Sequence, residues 1–138
     1  MTRLLDVNLL MALLWENHEY HTHARLWLKG VSAFATCPVV QIGFARVSSH
    51  TLLGYGLTPE QAFGILRRFI ADPRHEFIPD DLSCADRVVR TELMAGAIQI
   101  TDCYLVALAR QHGFSLATFD RPLAKSFADE TGLVELLH

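Results

Sequence analysis

Hydrophobic positions along the chain fall into short clusters separated by polar and turn-forming residues, and two kinds of cluster alternate. Arg3 to Val7 (RLLDV) is a short run of β type. Leu9 to Glu16 is apolar almost all round, which predicts a helix inside a core rather than on a surface. Tyr20 to Leu28 has helical spacing, with Ala24, Trp27 and Leu28 on one face and Gly30 as its stop. Phe34 to Cys37 suits a second strand closed by Pro38, and Val39 to Leu52 reads as a helix before the Gly54-Tyr55-Gly56 loop. Thr58-Pro59-Glu60 is a helix start, with Thr at the cap and Pro in the first turn, and the pattern runs to about Ala71. His75 to Ile78 predicts a third strand. Ser83, with Asp86 three residues on, matches a capping pattern and predicts a helix through Met94. Thr101-Asp102 opens a helix over Cys103 to His112, with Gly113 as its C-terminal cap. Phe114 to Thr118 is a fourth strand, Arg121-Pro122 starts a short helix to Ala128, and Leu133 to Leu137 is a last strand. Strands alternating with helices predict one α/β domain over residues 1–138, its parallel sheet of four to five strands covered on both faces.

Length and composition agree with a single domain: 138 residues, 51% of them apolar, suffice for a core without covalent staples. The apolar run from Leu9 to Trp15 is far shorter than the roughly 20 residues that cross a bilayer. No basic segment with a small-residue cleavage site precedes it, so the expected location is the cytoplasm. Cys37, Cys84 and Cys103 are odd in number and widely spaced, which argues against disulfides or a thiolate zinc site and for small buried apolar roles. A net charge of −3 gives no whole-molecule attraction to nucleic acid. Lys29 and Lys125 are the only lysines, and the arginine excess suits phosphate contacts and salt bridges alike.

Asp6 interrupts an otherwise apolar run, and an ionised carboxylate is costly to bury there without compensation. Two other acids occupy related places: Asp102 opens a helix and Asp120 follows a strand. In parallel α/β sheets ligands lie beyond the carboxyl ends of the strands, where strand ends and helix starts gather. Three acids distant in sequence are therefore expected to converge. Converging carboxylates raise one another's pKa, and a hard divalent cation such as Mg²⁺ or Mn²⁺ removes the repulsion. Such a cation polarises phosphoryl oxygens and activates water. Against this stand local roles: Asp102 as a cap, Asp120 as a turn residue, Asp6 bonded to its own loop.

Three stretches carry a resemblance along the whole chain. "LLDVNLLMALLW" is similar to the D-x-N strand-to-helix motif of the PIN-domain family, and in particular of VapC-type toxins. "ATCPVVQIGFARVSSH" resembles the family's second motif, and "ITDCYLVALARQHGFSLATFD" its T-D-x-x-L-x-x-L-A motif with the following strand. The resemblance implies a three-layer α/β/α sandwich and a Mg²⁺- or Mn²⁺-dependent endoribonuclease. It further implies a cognate VapB-like antitoxin and a homodimer. Asp6, Asp102 and Asp120 match metal-binding acids, Asn8 the residue that buttresses the first acid, Thr101 and Thr118 hydroxyls near the site, and Arg46 an arginine of the second motif. Gln41 stands where many relatives carry glutamate, which leaves three formal negative charges rather than four.

Two other readings draw on the same residues. A haloacid dehalogenase-type phosphatase needs a second acid two residues after Asp6 as general acid, and that position is Asn8. A PIN fold weakened by Gln41 and reduced to a binding module would keep the architecture without cleaving RNA. His18, His21 and His23 do not share one helix face and read as a solvated helix start rather than a metal site. Phe63, Leu66, Phe69 and Ile70 read as core, with a groove for an antitoxin helix as the functional alternative.

Overall fold

Five short strands form one parallel sheet: β1 (Arg3–Leu5), β2 (Phe34–Thr36), β3 (His75–Phe77), β4 (Ser115–Thr118) and β5 (Val134–Leu136), in the order β3-β2-β1-β4-β5. The computed structural model describes residues 1–52 and 54–138. Leu4 pairs with Ala35 on one side and with Leu116 on the other, and all three are fully buried, the pattern of strands covered on both faces. Six helices connect the strands: α1 (Val7–Leu14), α2 (His21–Lys29), α3 (Pro38–Ser49), α4 (Pro59–Ile70), α5 (Gln99–His112) and α6 (Arg121–Ser126). The connections β1 to β2 and β2 to β3 step one way along the sheet; β3 to β4 and β4 to β5 step the other. With right-handed crossovers, α1 to α4 cover one face and α5 and α6 the opposite one, giving the three-layer α/β/α sandwich.

Local chemistry fixes the ends of several elements. Thr58 and Gln61 form a reciprocal capping box at the start of α4. Gly113 closes α5 with φ of 72°, a left-handed conformation that glycine takes without Cβ strain. A Cβ on Gly43 would come within 3.0 Å of the Val7 side chain, so this glycine lets α3 press against the start of α1, beside Asp6.

Two boundaries depart from the pattern-based expectation. The helix expected from Ser83 to Met94 is a series of turns with one 3₁₀ turn, Thr91–Leu93. The Ser83 hydroxyl accepts from Ala85 N and the Asp86 carboxylate from Val88 N, so both side chains close local turns instead of forming a reciprocal cap. Helix α5 begins at Gln99, before Thr101-Asp102, so Asp102 lies in its first turn and does not cap it. Among the cysteines, Cys37 and Cys103 are buried and Cys84 is exposed; all three are free thiols.

Candidate active site

The winding of the chain reverses between the neighbouring strands β1 and β4, and in open parallel sheets ligands bind beyond the carboxyl ends of the strands at such a reversal. Asp6 directly follows β1, and Asp120 lies two residues beyond β4. Asp6 is only 1% exposed. Its Oδ1 accepts from Val7 N at 2.7 Å and caps α1, and its Oδ2 accepts from the Thr118 hydroxyl at 2.6 Å. Thr118 Oγ1 in turn accepts from Asp120 N at 3.0 Å, and Asp120 Oδ1 accepts from Leu123 N at 3.0 Å, capping α6. Two helix starts and two strand ends are thus tied through one buried hydroxyl.

That hydroxyl has a testable weight. Thr118→Val keeps the β-branched shape but strips Asp6 of a charged hydrogen bond and leaves Asp120 N without its acceptor. A bond to a charged group contributes about 1.5–3 kcal/mol and a neutral one about 1 kcal/mol, so we expect a loss of about 2–4 kcal/mol in urea unfolding. A loss under about 0.5 kcal/mol would show that the tie is replaced by water.

Asp102 completes the group from α5. It lines a cleft of about 320 Å³ with Asp120, Gln99, Cys103, Leu123 and Ser126. Burial, together with the charges of Asp6 and Asp120, pushes its carboxyl up to about 7. Burial also raises Asp6, opposed by the bonds from Thr118 and Val7 and reinforced by Asp120. The three acids therefore lie within electrostatic reach of one another. Among the described residues none of them has an ion-pair partner.

Whether this group suits a divalent metal turns on the donor set. All three donors are carboxylate oxygens, the preference of Mg²⁺ and Mn²⁺, and their charges are uncompensated. Among the described residues no three His, Cys, Asp or Glu side chains make a ready cage for an ion. Mg²⁺ does not require one, since it keeps several waters and takes one or two carboxylates. Asp102, which is no cap, leaves both oxygens available.

The remaining residues singled out from the sequence divide. Thr118 is part of the group, as described. Asn8 is exposed, makes no side-chain hydrogen bond among the described residues, and does not buttress Asp6; Thr118 and the Val7 amide do. Asp6 caps α1 by accepting from Val7 N, and Asn8, in the first turn of that helix, is exposed. Gln41 makes no hydrogen bond to the acids: its amide donates to Thr36 Oγ1 at 3.0 Å, and Thr36 pairs with His75 Nε2 at 2.7 Å. Gln41 also borders an apolar groove with Ile42, Phe63 and Ile70. Thr101 is exposed and lines a separate cleft with Asp80 and Tyr104. Arg46 is exposed and without an ion pair among the described residues. His18 Nδ1 accepts from Tyr20 N and His21 Nδ1 lies 2.8 Å from Ala12 O, so the histidines serve local structure.

Asp80 was not singled out. Its Oδ2 accepts from Val39 N at 3.2 Å and supplies α3 with the cap that Cys37 does not provide. The signal was a helix start, Cys37-Pro38, with no capping side chain of its own.

The model of the PIN domain matches residues 3–126. The chain is similar to Ribonuclease VapC39 of Mycobacterium tuberculosis, with 39% identity over 145 aligned residues covering 99% of this chain and 100% of that protein. Its fold is similar to the crystal structure of Mycobacterium tuberculosis VapC20, a sarcin-ricin loop cleaving toxin, at a TM-score of 0.66 and 13% identity over 97% of this chain and 98% of that one. It is also similar to a toxin-antitoxin complex from Klebsiella pneumoniae, at a TM-score of 0.64 and 19% identity over 99% and 98% of the two chains.

Proposed function

This chain belongs to the PIN-domain family, and from that premise we propose that it is a VapC-type endoribonuclease toxin that cleaves RNA phosphodiester bonds with Mg²⁺ or Mn²⁺ at Asp6, Asp102 and Asp120. The observation that carries the proposal is the three uncompensated acids at the β1/β4 reversal, mutually close enough for two of them to raise the third. A bound divalent cation supplies Lewis-acid polarisation of a phosphoryl oxygen and a more acidic water. The chain's own residues hold the constellation. Val7 N and Thr118 fix the Asp6 rotamer, and Leu123 N fixes Asp120. Asp102, which caps no helix, leaves both carboxylate oxygens available to hold the ion.

Purified protein tests this directly with end-labelled RNA. Cleavage is expected with Mg²⁺ or Mn²⁺ and is expected to stop in EDTA. Undiminished cleavage in EDTA would remove the metal from the reading, and no cleavage with either ion would remove the enzyme.

As a toxin, the protein needs restraint, and a VapB-like antitoxin is the proposed partner; coexpression followed by co-purification tests it. Self-association is proposed as well. Helix α1, for all its leucines, offers no surface for it, since Leu9, Leu10, Ala12 and Leu13 are buried within the chain. The support comes from side chains left outside, such as Ile42 and Phe63 on adjoining helices and Ile98, which is 84% exposed. Light scattering at high micromolar concentration is expected to give a dimer mass. No helix among the described residues is long and apolar enough to cross a membrane.

A further inference from the structure

Phe119 sits in the chain between Thr118 and Asp120, two members of the acid group, and its ring begins a chain of aromatic contacts that leads away from that group. Tyr20 stacks on Phe119 with centroids 4.9 Å apart and 22° between planes. His18 follows at 5.8 Å from Tyr20, Trp15 at 6.3 Å from His18, and Tyr55 at 4.6 Å from Trp15. His23 meets Phe119 edge-on. The rings come from three segments: Trp15, His18, Tyr20 and His23 between the end of α1 and the first turn of α2, Tyr55 from the loop before α4, and Phe119 just after β4. They are not core. Tyr20 is 44% exposed and Tyr55 41%, while Phe119, His18 and Trp15 are half-buried. Contiguous exposed aromatic surface beside a reactive group marks a binding surface more than a packing requirement.

We infer that this aromatic row is a platform on which unpaired bases of the RNA substrate stack beside the three acids. The inference rests on the ribonuclease reading for the identity of its ligand. Every base offers a π-face, and stacking on aromatic side chains is the sequence-tolerant way to hold single-stranded nucleic acid. The rings are too close to one another to admit a base between them, so a base lies on the outward face, and Tyr20 offers the most open one of those nearest the acids. A duplex keeps its bases stacked inside and offers no free face, so the platform selects loops, bulges and ends. Phe119 is flanked in the chain by Thr118 and Asp120, which anchors one end of the row at the acid group. The overall charge of −3 gives such a strand little general attraction, which leaves the rings a larger share of its recognition.

The test uses the full chain and a labelled single-stranded oligoribonucleotide, titrated in EDTA so that binding is read without cleavage. Tyr20→Leu keeps an apolar side chain but removes the π-face, and Tyr20→Phe retains the face. Tyr20→Leu is expected to weaken binding about tenfold, within the range of base–aromatic stacking, while Tyr20→Phe binds as the wild type does. Quenching of tryptophan fluorescence by the oligonucleotide in a Trp27→Phe background, which leaves Trp15 as the only emitter of its type, is the second readout, and thermal melts establish that the variants are folded. A blunt RNA duplex of the same sequence should show no dependence on Tyr20. Equal binding by Tyr20→Leu and the wild type, equal loss in both variants, or no binding by the wild type would each overturn the platform. Failure of the ribonuclease reading looks different: the wild type would not cleave with Mg²⁺ or Mn²⁺, while the Tyr20 dependence of binding would persist.

Discussion

Replacing Asp6 by asparagine is expected to lower RNA cleavage at least about 10³-fold while the protein stays folded. The asparagine oxygen can still accept from Val7 N, and its amide can face Thr118, whose hydroxyl rotates to suit, so shape and most bonding survive. What disappears is a charge in a nearly fully buried position. If a divalent cation contributes several kcal/mol of transition-state stabilisation, losing about 4 kcal/mol of it corresponds to that factor. Burst-free steady-state cleavage of labelled RNA, with circular dichroism on the same sample, measures both halves. Activity within tenfold of the wild type would remove Asp6 from the metal group.

Asp102→Asn is expected to do two opposite things: abolish cleavage and stabilise the metal-free protein at neutral and alkaline pH. The carboxyl is raised from 3.8 to about 7 in the folded chain, chiefly by burial and then by Asp6 and Asp120. A raised acid pKa means that the folded state disfavours the ionised form. Stability attached to Asp102 is therefore complete below about pH 4, declines as pH rises toward 7, and stays low above it. The full interval corresponds to at most about 4 kcal/mol, less whatever solvent screening removes at this partly exposed side chain. Asparagine has no proton to lose and removes the decline. Melts of both proteins in EDTA should coincide near pH 4 and separate by several degrees at pH 8, the variant being higher. Coinciding melts at pH 8 would mean that the three charges do not crowd one another.

The strands were legible because their neighbours declare them: short β-type runs bounded by Pro38, Gly113 or Asp120. The Ser83–Met94 segment was not, because Ser and Asp three residues apart are equally the residues of consecutive local turns, and only tertiary context decides. Val89 is the sole side chain of residues 83–94 buried in the core, too little to hold an amphipathic helix. The apolar setting of Asp6 was a physical signal readable without a structure, because burial of an acid demands partners. Thr118 as that partner lies 112 positions away, which no local pattern reveals. Asn8 and Gln41 show the converse: a motif position specifies residue type, whereas side-chain direction depends on which acceptors the folded chain places nearby. Residues 15–20 supply three rings of the aromatic row, but its extension to Tyr55 and to Phe119 is invisible in one dimension, since those rings come from two distant segments.

The strand order has a consequence in time. β1, at the middle of the sheet, is made first, yet its neighbour β4 is made almost last, and α6, whose start Asp120 caps, later still. Domains fold as units while they are synthesised from the N-terminus. Until the ribosome has passed β4, Asp6 has neither Thr118 nor Asp120 beside it, and the unfinished chain carries at most two of the three acids, Asp6 and Asp102. A chain that attacks RNA is thereby harmless to the messenger and the ribosome producing it for most of its own translation. A premature stop anywhere before Asp120 yields an inert fragment rather than a weakened nuclease.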